Sequence, residues 1–336
     1  MEHKPKMSYI VITSIFDPTE SVVAFSKQKG RHLIVVGDRK TPKNWFCKNV
    51  TYLPLEVQES SGYELAKILP FDHYSRKMIG YLKAIEFGTD LIIDTDDDNY
   101  PKVNWGFPDF ENKYDCVEGN RGFVNIYQLF SKEKIWARGL PLSLILKNFE
   151  LEKDLVSNIC KVGVWQGLAD QDPDVDAIYR LTNGAPCYFE DREPVVLGIG
   201  TISAFNSQNR IFRKELFPLL YLPSYVTFRF TDILRGLVAQ PIMWLYGYQL
   251  GFTNASVVQK RNAHDHMNDF ISEIPMYQHS ESVVDLVANS IIRTEDIKNN
   301  LYRAYSALLK EKIICDKEMV TLDAWLKDIE QKTIDY

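Results

Sequence analysis

The segment Asp94-Thr95-Asp96-Asp97-Asp98-Asn99 follows the apolar run Leu91-Ile92-Ile93. A short apolar run reads as a buried strand, and carboxylates crowded at its end repel one another unless they share a cation. Carboxylate oxygens suit hard divalent ions, so Mg2+ or Mn2+ is the expected partner. In an open α/β sheet, ligands bind beyond the carboxyl ends of the strands. The pattern suggests a metal-assisted site for a phosphorylated substrate, with a nucleotide sugar as the best fit. The ion would neutralise charge building on a leaving diphosphate. A solvated acidic loop tip is the competing interpretation. On an extended backbone side chains alternate, so Asp96 and Asp98 would share one face and are the expected metal ligands. Asp97 is left to hold a ribose hydroxyl or shape the turn, and Asp94 to lie deeper and orient the others.

Other residues fall where such a site needs them. Thr13 and Asp38 end two further apolar runs and are candidates to line a nucleotide site, with Arg39 beside Asp38; a plain turn aspartate is the rival for Asp38. Arg76 and Lys77 precede the acidic strand, and Arg76 is the candidate diphosphate contact, against the rival of ordinary helix surface. Asp172, Asp174 and Asp176 form a second acidic segment that suits acceptor hydroxyls, or else a capped loop around Pro173. Their spacing resembles a calcium loop only superficially. Charges set in apolar sequence need partners. Asp232 is the candidate general base, and Arg229 and Arg235 candidate phosphate contacts, with a structural Asp–Arg pair as the alternative. His264 is a candidate to complete the metal shell.

Strand and helix signals alternate in the first hundred residues. Strands are expected over Tyr9–Ser14, His32–Asp38 and near Thr51–Leu55, with a helix start at Asp17–Glu20 and a helix from Tyr74 to Phe87 closed by Gly88. That alternation predicts a partly parallel α/β sheet. The pattern is irregular from Pro101 to about residue 130. A strand is expected over Pro194–Gly200, a buried helix over Thr231–Gly247 with Pro241 inside it, and helices from about Ser280 onward.

The 336 residues suffice for one large or two modest domains, and 45% apolar with 25% charged residues is the profile of a chain with a sizeable core. A net charge of −6 argues against nucleic acid as a partner. Five scattered cysteines without a CxxC argue against a disulfide framework or structural zinc. The dinucleotide GxGxxG, the P-loop, the GxSxG elbow and HExxH are all absent. No secretion segment or membrane span is evident, so a soluble cytoplasmic protein is expected.

Several blocks in one order resemble the STELLO-like family of glycosyltransferases: YSRKMIGYLKAIEFGTDLIIDTDDD at 74–98, QGLADQDPDVDAIYRLT at 166–182, FNSQN at 205–209, YLPSYVTFRFTDILRG at 221–236 and VVQKRNAHD at 257–265. A weaker resemblance is to reversibly glycosylated polypeptides, which are nucleotide-sugar mutases with an Asp-Asp-Asp motif. The resemblance implies a GT-A-like nucleotide-sugar-binding sheet flanked by helices over residues 7–270, with a C-terminal helical region over 271–336. It places the DxD nucleotide-sugar motif on Asp96–Asp98. The family motif is commonly followed by Arg where Asn99 stands here, which bears on sugar and nucleotide preference. Plant members carry a membrane anchor and act in the Golgi; no anchor is apparent in this chain. The expected activity is metal-dependent transfer of a sugar from a nucleotide diphosphate sugar to a hydroxyl acceptor, such as a glycan. A nucleotide-sugar mutase, or a noncatalytic scaffold for another glycosyltransferase, is the alternative. A protein partner or a second copy of the chain is left open.

Overall fold

The computed structural model describes residues 7–261 and 265–334. The chain opens with β1 (Ser8–Thr13), α1 (Glu20–Phe25), β2 (Arg31–Val36) and β3 (Val50–Leu53), followed by the short helices α2 (Leu55–Glu59) and α3 (Glu64–Ile68). Helix α4 (Lys77–Glu86) then leads into β4 (Leu91–Thr95). Strands β3, β2, β1 and β4 lie side by side in that order, all parallel. The strand residues alternate strictly between two apolar layers. Tyr9, Val11, Ile34, Val36 and Ile92 enter one cluster, and Ile10, Ile12, Leu33, Val35 and Ile93 the other. Helix α4 covers the first layer, and Gly80 lets it approach closely: a Cβ there would meet Val11 Cγ1 at 2.5 Å. The helix start expected at 17–20 is capped by Thr19, whose Oγ1 accepts from Val22 N at 3.2 Å.

The middle of the chain holds more strand than its irregular pattern suggests. It contains β5 (Asn99–Pro101), β6 (Glu111–Val117), β7 (Gly122–Phe123), β8 (Leu155–Asp170), the helix α5 (Ala177–Thr182), β9 (Val195–Leu197), β10 (Thr201–Ile202) and β11 (Asn209–Arg213). Helix α6 (Thr231–Leu245) and β12 (Gln249–Gln259) follow. Strand β11 runs antiparallel to β4 and carries the sheet on to β8. Strand β8 bends: its first half pairs with β6 and its second with β12, while β9 bridges β6 and β12, so these four strands close on one another. The first residues of β8 are largely solvent-facing, which removes the continuous apolar signal of a buried strand.

Helices α7 (His266–Ser290), α8 (Ile297–Lys310) and α9 (Asp316–Ile334) complete the chain. Helical sequence is expected from about Ser280, yet α7 begins fourteen residues earlier and runs through Pro275. Packing on α5 and α6 outweighs the proline there. The division expected between residues 270 and 271 falls inside α7. Residues on both sides of it share one apolar cluster, in which Trp325 and Leu308 join Met78 and Leu237. Polar contacts join the same parts. Asp328 of α9 accepts from the N-terminal amides of α3, Glu64 N at 2.9 Å and Leu65 N at 2.8 Å. Helix α3 has no side-chain cap of its own, so a residue 264 positions away supplies one. No helix among the described residues is long and apolar enough to cross a membrane.

Candidate functional site

The crevice beyond the carboxyl ends of β1 and β4 lies where the parallel strand order reverses, the usual ligand position in such sheets. The acidic segment falls in it. The triplet is not extended: Asn99 N donates to Asp96 O at 3.3 Å, closing a turn. The side-chain alternation expected of a strand does not apply, and Asp96, Asp97 and Asp98 all line one polar cavity. Asn99 anchors the turn from below, donating to Thr95 Oγ1 at 3.2 Å and to Gln208 O at 2.6 Å.

Each carboxylate has its own surroundings. Asp94 is fully buried, accepting from Lys77 Nζ at 2.8 Å, from Tyr81 Oη at 2.6 Å and from Arg210. Lys77 Nζ also donates to Asp96 Oδ1 at 2.8 Å and Thr95 O at 2.8 Å, so its three protons are used. The Asp96 side chain stays 35% exposed on the cavity. Burial raises its carboxyl to about 7; Lys77 opposes this, and Asp98 and Asp94 reinforce it. Asp97 accepts from Ser14 Oγ at 2.5 Å, and its carbonyl accepts from Thr19 Oγ1 at 2.7 Å. Asp98 is held by Gln259 of β12, whose Nε2 donates to its two oxygens at 3.3 and 3.2 Å. Burial and Asp97 raise the Asp98 carboxyl, while Gln259 and Arg261 hold it down.

The remaining wall comes from α6 and the loops that face it. Arg138 donates through Nε and Nη2 to the two oxygens of Asp174 at 2.8 Å each, and through Nη2 to Asp232 at 3.0 and 2.9 Å. Asp232 also accepts from Ser207 N at 3.0 Å and Ile233 N at 3.1 Å. Asp232 faces the cavity, but it must release one of these bonds to take a proton from an acceptor. Arg229 lines the cavity with its guanidinium committed to Glu273 Oε1, 2.9 Å from Nε and 2.8 Å from Nη2. Arg235 lies behind the wall, 2% exposed, with Nη2 on Ser207 Oγ at 2.9 Å.

A second cavity adjoins the first and shares Thr13, Tyr74, Asp97 and Phe228 with it. Asp38 lines it from the end of β2, accepting from Arg39 N at 2.8 Å and His73 N at 3.3 Å. Phe16 and Phe228 are 46% and 52% exposed at this cavity. His73 stacks on Tyr74 with ring centroids 5.4 Å apart, and burial lowers its imidazole to about 4 although Asp38 opposes the shift. Arg76 also lines the cavity, but its Nε and Nη2 donate to Gln58 Oε1 at 2.9 and 2.7 Å, leaving the residue 1% exposed. Arg39 turns instead over the Phe71 ring, 4.0 Å from its centroid.

The second acidic segment divides three ways. Asp174 lines the polar cavity through its pair with Arg138. Asp172 pairs with Arg180 and lies 3.5 Å from Arg261 Nε. Asp176 is buried, capping α5 through Tyr179 N at 2.9 Å and accepting from Trp136 Nε1 at 2.7 Å. His264 lies outside the described residues. Arg138 lines the cavity from outside every block that carries the family resemblance, while Tyr74, Ser207 and Gln259 lie inside those blocks, and only the fold shows that all four face the cavity.

The fold and site define an α/β protein with a large mixed sheet, flanking helices and an acidic, two-chambered crevice at the carboxyl edge of its parallel strands. The family model of STELLO glycosyltransferases matches residues 229–336, which takes the resemblance through the C-terminal helices. The chain is similar to "Probable glycosyltransferase STELLO1" of Arabidopsis thaliana, 26% identical with 96% of this chain and 44% of that protein covered. It is 30% identical to "Probable glycosyltransferase STELLO2" of the same plant, with 71% of this chain and 34% of that protein covered. It is a STELLO-family, glycosyltransferase-like protein that spans less than half the length of these curated relatives.

Proposed function

We propose that this chain is a GT-A-type, metal-dependent glycosyltransferase that moves a sugar from a nucleotide diphosphate sugar to a hydroxyl acceptor such as a glycan. The observation that carries this reading is the position of the acidic turn at the junction of the two cavities. The donor is a flat nucleoside joined to a sugar through a diphosphate, and the crevice offers matching surroundings in series. The nucleoside takes the second chamber, where Asp38 can accept from a ribose hydroxyl or base N–H and Phe16 and Phe228 offer ring faces. The sugar and acceptor take the polar chamber.

Among the described residues no three Asp, Glu, His or Cys side chains converge on one point. Asp96 and Asp98 still fit a Mg2+ or Mn2+ ion, because such ions are commonly held by one or two carboxylates together with substrate phosphates. Burial raises both carboxyls, reinforced at Asp96 by Asp98 and Asp94 and at Asp98 by Asp97, the condition a second cation relieves. When bound, the ion would supply charge neutralisation to the departing diphosphate. The chain's own residues fix the geometry: Lys77 holds Asp96, Gln259 holds Asp98, and Ser14 holds Asp97. Asp232 keeps Arg138 and the Ser207 amide in place along the acceptor wall.

Calorimetry with UDP, GDP, CDP, ADP and CMP, with and without Mn2+, tests the reading. One metal-dependent nucleotide is expected to bind, and an Asp96→Ala, Asp98→Ala double variant is expected to lose it. Unchanged binding by a folded double variant overturns the site.

A further inference from the structure

Three guanidinium groups line the polar cavity, those of Arg138, Arg229 and Arg261. The first is closed by Asp174 and Asp232, and the second by Glu273 and Val175 O. Arg261 differs. Its side chain is 9% exposed, and its ion-pair partner among the described residues is Asp172, 3.5 Å from Nε and already paired with Arg180. Nε is a buried donor without an acceptor, and no described residue hydrogen-bonds its Nη groups. Arg229 and Arg180 stand close enough that, after burial, they are the main influences lowering its affinity for its own proton. A buried guanidinium with spare donors among other cations is a site for an anion from outside the protein.

The position narrows the anion. Arg261 follows β12 two residues after Gln259, which grips Asp98, and Lys260 N between them donates to Asp98 O at 3.1 Å. The Arg261 charge is felt at Asp98. A ligand held at this turn therefore meets the acidic pair and a guanidinium fork together. A group with several anionic oxygens suits both, some facing a cation on the carboxylates and others facing the fork.

We propose that Arg261 is a diphosphate-binding residue, taking phosphoryl oxygens of the donor from the β12 side of the crevice. The proposal rests on the nucleotide-sugar reading and assigns it a phosphate contact.

Replacing Arg261 leaves Asp172 with Arg180, so Arg261→Gln and Arg261→Lys are expected to fold, checked by thermal unfolding. The full chain is titrated calorimetrically with inorganic pyrophosphate in Mn2+, with inorganic phosphate, and with Mn2+ alone. Arg261→Gln is expected to weaken pyrophosphate about tenfold or more, the loss of a charge-assisted hydrogen bond. Arg261→Lys falls between the two, and Mn2+ binding alone is unchanged. Pyrophosphate binding by Arg261→Gln at the wild-type level overturns the proposal, as does a wild-type protein that ignores pyrophosphate. A preference for inorganic phosphate also overturns it, indicating a phosphorylated acceptor as the source of the anion. The Asp96→Ala, Asp98→Ala variant separates the two assignments. If it binds pyrophosphate normally while Arg261→Gln does not, Arg261 stands and the metal reading falls. If it alone fails, the metal reading stands and Arg261 falls.

Discussion

The Lys77 ammonium donates to Asp96 Oδ1 at 2.8 Å, so the carboxylate facing the cavity is held by a lysine that is itself fully buried. The same nitrogen binds Asp94 and the Thr95 carbonyl. One side chain from the first turn of α4 thereby sets the end of β4. Replacing it with Met removes a buried cation from Asp94 and Asp96 together. Lys77→Met is expected to lose about 3–5 kcal/mol of unfolding free energy, the usual consequence of breaking one side of a buried pair. Urea denaturation checks this.

Gln259 acts on the opposite arm of the turn. Its Nε2 binds both oxygens of Asp98, and its Oε1 accepts from Gln208. Removing a group that orients a ligand residue typically weakens metal affinity about 10–100-fold. Gln259→Ala is expected to weaken Mn2+ binding by about tenfold or more, followed by the paramagnetic resonance of free Mn2+. Wild-type affinity in that variant would show that Asp98 needs no such support.

Gly80 tests the closeness of α4 to the sheet. An added Cβ would lie 2.5 Å from Val11 Cγ1 and 2.8 Å from Val36 Cγ2, both on β-branched side chains in the core. Alanine favours the helix by about 1 kcal/mol over glycine. Overpacking nevertheless typically costs about 1–3 kcal/mol, so Gly80→Ala is expected to lower the thermal midpoint.

Asp176 gives a dependence of stability on pH. Burial raises its carboxyl from the ordinary 3.8 to about 6, although Tyr179 N and Trp136 oppose the shift. Between those values the folded chain holds the proton more tightly than the unfolded chain, so stability from this group falls as pH rises from about 4 to 6. The shift corresponds to at most about 3 kcal/mol. Asp176→Asn keeps a side-chain oxygen for the cap and removes the titration. Its stability is expected to gain on the wild type across that interval, measured by denaturation at several pH values. Parallel curves would refute the assignment.

Much of the first hundred residues is legible in order of sequence because their apolar residues follow simple periods. β1, β2 and β4 lie within two or three residues of the apolar runs that announce them, and α4 follows Tyr74–Arg76 as its apolar spacing suggests. The exposed first half of β8 and the proline in α7 lack such a period, and both elements are stabilised by what they pack against. At the site, residue type identified the acidic turn. It did not show that Arg76 would serve Gln58, and it left Asp176 open between an acceptor contact and the cap that it forms.

The sequence by itself determined that a strand ends in crowded carboxylates, and that strands alternating with helices build a partly parallel sheet. Those properties follow from the chemistry and periodicity of neighbours along the chain. Tertiary structure alone decided which cation or amide meets which acid. Gln259 reaches Asp98 across 161 positions, Arg138 joins Asp232 across 94, and Arg210 meets Asp94 across 116. Such pairings depend on strand order and register, which short segments of sequence do not contain.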